Sequence, residues 1–493
     1  MSRATRAMYT ALVVCCLFSA TGCVPKLQQK RESNVQETIP ATYGEGMAAG
    51  DSSAKTDWSA FFNDPKLVAL IDEALEHNQE LHILDQEIQI ANNEVMARRG
   101  EILPKGGVGV DAGVPVPGRY AEEPGRAGPL NESEGEQEGP RFGFGFYATW
   151  EVDIWKKLRN AKQSATYHYF ASVEGRNFAT TVLVAEIAAS YYELMALDNQ
   201  LDVIRTNIEI MQSSLEIVKL QKEAAKVTEL AVQRFEAEVL KNQSLQYEIL
   251  QEITQVENRI NFLMGRYPQP IERDSAAFLD TDPKPVLAGV PTDLLENRPD
   301  IKQAEYHLEA ARLDVKVARA TFYPSLVLDA GIGYRVIDLE HLLPTPRALI
   351  LGTVASLFTP LVNRKSITAN YYSANSAQIQ AVYHYERTVL GAYIECSNQL
   401  ALMDNLSKSY ELRIKQVEKL DQSIEVSNTL FQSARADYLE VLTTRREALE
   451  SQLELVETKK QQMLAMVNMY RALGGGWKSE KAASTQETPE ASK

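Results

Sequence analysis

Between Lys157 and Ala225 the chain has no proline and a single glycine. Its apolar residues there step by three and four, at Ile187, Tyr191, Leu194, Leu197, Leu201, Ile204, Ile208, Met211, Leu215 and Val218. Such a narrow stripe is the seam of a coiled coil rather than the broader face of a surface helix. A return helix continues it through Leu245, Ile249, Ile253, Val256, Ile260 and Leu263. The pattern then recurs, outward through Met403, Leu406, Tyr410, Ile414, Val417, Leu420 and Ile424, and back through Leu442, Leu449, Leu453, Val456, Met463 and Val467. Helices of about 70 residues reach roughly 105 Å at 1.5 Å per residue. Each return helix is about half as long. The helices expected at about 65–103 and 299–323, stacked end to end with the return helices, supply the missing half. Asn297 can cap the second of these, with Pro299 in its first turn, where a missing N–H costs nothing.

Other stretches alternate with period two. Phe142, Phe144, Phe146, Ala148, Trp150, Val152 and Ile154 fall on one face, and Arg141, Gly143, Gly145, Tyr147, Thr149, Glu151 and Asp153 on the other. Val108, Val110, Ala112, Val114 and Val116 make a plainer partner strand. In the second half Leu326, Leu328, Ala330, Ile332 and Tyr334 alternate with Ser325, Asp329, Gly331 and Arg335, and residues 349–361 form a less regular fourth strand. An aromatic outer face over a small or polar inner face, about ten residues long, is the pattern of a membrane β-barrel strand. The same alternation would serve an amphipathic hairpin on a soluble core, but no other apolar element is left to cover those phenylalanines. Four strands cannot close a barrel, and an open edge in lipid leaves backbone groups without partners. The barrel must therefore be shared, giving eight strands from two chains or twelve from three.

The two halves repeat each other. His77-Asn78-Gln79-Glu80-Leu81, Ala91, Val95, Arg99 and Pro104 recur as Asn297-Arg298-Pro299-Asp300-Ile301, Ala311, Val315, Arg319 and Pro324. The offset of about 220 residues is too long for a solenoid and reads as a duplication. Thr181-Val182-Leu183 likewise matches Thr388-Val389-Leu390, and Leu230-Ala231-Val232 matches Leu439-Glu440-Val441.

Charge and cysteines narrow the setting. A formal charge of -15 over 493 residues disfavours nucleic acid and anionic headgroups as partners. Past the N-terminus no run of 18 apolar residues is expected to span a membrane as a helix. Arg3 and Arg6 precede a mostly apolar stretch, Ala7 to Ala20, of signal-peptide length. It ends in Ala20-Thr21-Gly22-Cys23, which resembles the lipobox of bacterial lipoproteins with Ala20 where Leu is usual. A plain secretory signal is the alternative. No Asp follows Cys23 to suggest inner-membrane retention. Cys15 and Cys16 leave with the signal, so acylation of Cys23 isolates Cys396 and no disulfide framework is expected.

No enzyme chemistry stands out. The six histidines are scattered without ligand spacing, and no phosphate loop, zinc pattern or nucleophile elbow occurs. No cofactor or metal is expected. The acidic insert from Glu122 to Glu138 reads as a solvated loop between strands.

These parts together resemble the TolC-like outer membrane factors, in the lipoprotein branch that serves efflux pumps. The resemblance runs from about Trp58 to Gly474. It is carried by Asn297-Arg298-Pro299-Asp300-Ile301 with Ala304-Glu305, by Ala318-Arg319-Ala320 and Pro324-Ser325-Leu326, and by Trp150-Glu151-Val152-Asp153-Ile154-Trp155. It implies a mainly α fold with membrane β: a coiled-coil α-barrel continuous with a β-barrel, twelve strands in a homotrimer. It also implies a periplasmic adaptor and an inner-membrane pump as partners, outer-membrane lipid around the barrel, and export of small toxic compounds. Type I polypeptide secretion, or a non-pore coiled-coil adaptor lipoprotein, are the alternatives. On this reading residues 1–22 are a signal peptide and 23–56 a lipidated tether. Residues 57–290 and 291–474 are the two repeats, and 475–493 a disordered tail. The docking tips align with Ala225, Lys226, Val227 and Thr228, and with Ala434, Arg435 and Asp437, where the family usually carries Gly at Ala225 and Ala434. The family's acidic gate aligns with Glu440 and Thr443, so one of two acidic layers is absent. Ala231, Phe431 and Ala436 stand where some members carry a polar latch and cannot make one.

Overall fold

The computed structural model describes residues 24–27, 29–43, 52–113, 141–336, 349–358, 364–433 and 435–477. The signal segment with Cys23, the acidic insert, Ala434 and residues 478–493 lie outside the described residues. The helices are α1 (Val35–Thr38), α2 (Trp58–Phe62), α3 (Pro65–His77), α4 (Gln79–Glu101), α5 (Lys157–Glu223), α6 (Glu229–Leu263), α7 (Asp293–Asn297), α8 (Pro299–Ala320), α9 (Arg364–Gln432) and α10 (Tyr438–Ala472). The strands are β1 (Lys105–Gly113), β2 (Arg141–Val152), β3 (Ser325–Val336) and β4 (Leu349–Phe358). The chain divides into two compact units, one of residues 1–32, 89–170 and 306–382 and the other of the remainder. This division cuts across the duplication, because each half supplies strands to the first unit and a helical hairpin to the second.

In the first unit the strands form one antiparallel sheet in the order β1-β2-β3-β4, so the two hairpins are joined through β2 and β3. Register places Phe146 opposite Val108 and Ile332, and Phe144 opposite Val110 and Tyr334. The expected outer face is thus continuous across strands, and Val108, Val110, Phe146 and Leu351 on it are all exposed. The opposite face is cleared by glycine. A Cβ on Gly145 would lie 2.7 Å from the Ile332 carbonyl oxygen, and one on Gly333 would lie 2.6 Å from that of Phe144. The Tyr147 ring lies between Gly109 and Gly331, with opposite edges against the two. Among the described residues β1 and β4 each pair on one side only.

The Trp150–Trp155 segment has a local explanation. Trp150 Nε1 donates to the Ile102 carbonyl (2.9 Å), and Trp155 Nε1 donates to that of Pro324 (2.8 Å) while its ring stacks on Tyr323. Between them Asp153 accepts from the amides of Leu158 and Arg159, both at 3.0 Å, and so caps α5. Burial raises the Asp153 pKa, but the bonds from Arg159 outweigh it and hold the carboxyl below its ordinary value.

In the second unit the seam read from the sequence is the core: Ile187, Tyr191, Leu194, Ile204, Met211 and Val218 are at most 2% exposed. From Ile187 to Ile208 it packs against Ile253, Val256 and Ile260 of α6, Val456, Met463 and Val467 of α10, and Ile271 and Phe278 of the linker between the halves, while Met211 and Val218 pack against Val232, Phe235 and Val239. An 18-residue window of α5 does reach the hydropathy and length of a membrane span, contrary to expectation, but 78% of it is buried in protein. It is a core helix. The outward seam of the second hairpin, from Met403 to Ile424, is only half-buried within one chain.

The helix expected over about 65–103 is two. Asn78 breaks it with an extended backbone (ψ 122°), and its Oδ1 caps α4 by accepting from Leu81 N. The break serves an end-to-end joint. Asn78 Nδ2 donates to the Leu263 carbonyl at the end of α6 (2.8 Å), and its counterpart Arg298 donates through Nη1 to the Ala472 carbonyl at the end of α10 (2.6 Å). Gly265 (φ 68°) and Gly474 (φ 87°) complete the two joints, since a Cβ there would come within 2.6 Å of the His77 and Asn297 carbonyl oxygens.

Both expected flexible ends pack in part. Asn375 Nδ2 and Gln378 Nε2 donate to the carbonyls of Gln29 and Arg31, and Tyr393 donates to that of Thr42. Tyr43 is buried and stacks on Tyr393. At the other end Trp477 donates to the Asn297 carbonyl, so packed chain continues past residue 474.

Candidate channel wall and gate

The functional candidates fall on the sheet and on the hairpin tips. Each tip closes with the same backbone bond, six residues to one: Lys226 N to the Gln221 carbonyl and Arg435 N to that of Leu430, both 2.8 Å. In the first, Ala225 takes the left-handed conformation (φ 55°), so the turn a glycine would favour is kept by an alanine. Ala225, Lys226 and Thr228 are exposed, while Val227 packs on the cluster of Met211, Val232 and Phe235. A Lys222–Glu229 ion pair straddles the turn, with both side chains exposed. In the second tip Asp437 caps α10, accepting from Tyr438 N (2.6 Å), and Arg435 is exposed. Ala434 lies outside the described residues.

Glu440 and Thr443 are one helical turn apart at the start of α10 and line the same groove, whose other wall is Lys419, Ser423 and Val426 of α9. Glu440 is exposed, and the Thr444 hydroxyl donates to its backbone carbonyl rather than to its carboxylate. A single chain therefore offers this carboxylate outward from an apolar-backed groove. Ala231 is fully buried in the first hairpin.

Sequence reasoning missed one polar centre. Arg298 is 7% exposed and binds Asp300, Glu395 and the Ala472 carbonyl at once. Burial alone would lower its pKa, but Asp300 and Glu395 outweigh that and hold it more firmly charged. Beside it the buried Cys396 thiol donates to Ala472 at 3.4 Å, and desolvation pushes its pKa up to about 11. The Arg298–Asp300 spacing was visible in the sequence, but Glu395 and Ala472 come from far along the chain.

The profile of the outer membrane efflux proteins matches residues 70–266 and 290–475. The chain belongs to that family. Members similar to it include the probable outer membrane lipoprotein SilC of Salmonella typhimurium, 25% identical over 471 residues, covering 94% of this chain and 98% of SilC. The solvent efflux pump outer membrane protein SrpC of Pseudomonas putida is 26% identical over 95% of this chain and 98% of its own. Cation efflux system protein CusC of Escherichia coli K12 is 24% identical over 94% and 99%. Among solved structures, the outer-membrane channel OprN superposes with a TM-score of 0.80 at 22% identity, covering 92% of this chain and 99% of its own. The open-state channel MtrE of Neisseria gonorrhoeae gives 0.78 at 22%, covering 92% and 98%. This efflux protein is thus an outer-membrane channel subunit, and its family consists of channel proteins.

Proposed function

We propose that the chain works as a homotrimer, a passive conduit in a tripartite pump that carries small toxic compounds from periplasm to exterior. The observation that carries this is the four-stranded sheet with an exposed apolar face and two single-paired edges. In lipid those edges demand partners, and three copies close twelve strands around a lumen walled by the glycine-rich face. The half-open seam of the second hairpin supports the same assembly, because a neighbouring copy would cover it.

The tips, Ala225–Thr228 and Ala434–Asp437, would receive a periplasmic adaptor, which links the channel to an inner-membrane pump. Relatives of nearly equal identity are named for cations, solvents and pyoverdine. Substrate choice therefore belongs to the pump and adaptor rather than to this chain. Cys23 would carry the lipid anchor. Polypeptide secretion would use the same conduit with a different inner-membrane partner.

Three copies of Glu440 would converge at the periplasmic end, where like charges oppose full ionisation of the ring. Recording in planar bilayers tests the reading. The protein should form channels that prefer cations and are blocked by trivalent cations, and Glu440→Ala should weaken both effects. Channels with selectivity and block unchanged in that variant would remove Glu440 from the gate, and failure to form channels would remove the conduit itself.

A further inference from the structure

His168 on α5 and His307 on α8 are 139 positions apart in sequence, yet their rings stand 5.6 Å apart between centroids, tilted by 52°. Helices rather than loops hold them. Tyr167 and Phe170 flank His168 and meet Tyr306, the neighbour of His307, at 6.1 and 5.5 Å. Farther along, Ser164 Oγ donates to Asp314 Oδ1 (2.7 Å) and fixes the same two helices against each other. Both imidazoles are exposed, and among the described residues no carboxylate joins them in a group of three. Two like bases have been brought together on rigid elements with their rings tilted against each other.

We propose that His168 and His307 form a two-nitrogen metal site that takes a monovalent d10 cation, Cu(I) or Ag(I). The donor set decides the class. Imidazole is a good ligand for copper, zinc and nickel, but zinc prefers four ligands in a tetrahedron. Among the described residues no group of three or more His, Cys, Asp or Glu side chains is placed to hold a metal. A d10 monovalent ion is satisfied by two nitrogens in line. At about 2 Å from one nitrogen of each ring, such an ion would set the ring centres about 6 Å apart, close to the separation present.

Silver is the practical probe because it does not change oxidation state in air. In a Cys396→Ala background the protein in detergent should bind one equivalent of Ag(I) per chain that is absent when His168→Gln or His307→Gln is added. The double variant should lose no more than either single one, since neither imidazole suffices alone. X-ray absorption on the silver-loaded wild type should show two nitrogen neighbours in line, a reading that stands even if a variant fails to fold. Unchanged stoichiometry in both variants, loss in only one, sulfur neighbours, or tighter binding of Zn(II) than Ag(I) would each overturn the site.

Discussion

Arg298 and Cys396 show how burial sets the behaviour of single residues. Arg298 serves two carboxylates and a helix-ending carbonyl, so its removal strands all three. Arg298→Ala should cost about 3–5 kcal/mol, the range for breaking a buried ion pair. Arg98 is the control: its partners Glu94 and Glu101 lie on its own exposed turn, so Arg98→Ala should cost less than about 1 kcal/mol. Denaturant unfolding in detergent checks both, and equal losses would contradict the assignment. Cys396, with a pKa of about 11, should resist iodoacetamide at pH 8 in the native protein and react at once in denaturant. The linkage has a definite sign. The folded pKa is raised, so the thiol's contribution to stability is full below its unfolded pKa and is lost as pH rises toward 11. Comparable labelling rates in native and unfolded protein would show that the thiol is open to solvent.

Elements depend on a few positions where a Cβ decides the geometry. Gly145 and Gly333 lie directly opposite each other in the β2–β3 register, and each would press a Cβ into its partner strand's backbone. Gly145→Val should break the joint between the two hairpins and abolish the heat-stable oligomer on gels, whereas Gly352→Ala meets nothing within 4 Å and should be tolerated. Ala225 is the reverse case. A non-glycine residue in the left-handed region is strained by about 1–2 kcal/mol, so Ala225→Gly should recover about 1 kcal/mol at the tip. Amide exchange of residues 221–228 would report it as slower opening, and faster exchange would count against the strain.

The whole molecule cannot be satisfied alone. Within one chain Leu390, Leu412 and Val426 of α9 remain exposed, and β1 and β4 present bare edges. Cross-linking in detergent should give a ladder that ends at three copies, and a stable monomer without detergent would refute the shared barrel. Intact mass should show acyl chains on Cys23. Cys23→Ala should lose them and still remain in the membrane, because the barrel holds it independently.

Local chemistry wrote the seam, the alternating strands and the duplication into the sequence, since each depends on residues within a few turns of one another. Ile187 to Val218 could be read as core before any fold was known because periodicity alone selects a buried face. The strand faces were equally legible, because a period of two leaves only two ways to point a side chain. What depends on distant meetings was not. That Asn78 would break a helix follows from the carbonyl of Leu263, 185 residues away, and that Arg298 would be buried follows from Glu395 and Ala472. The segment before residue 44 reads as a polar tether, yet its carbonyls find donors on α9. His168 and His307, unremarkable apart in the sequence, become neighbours only when α5 packs on α8. Periodicity tells each residue which way to face, and only the folded chain decides what it faces.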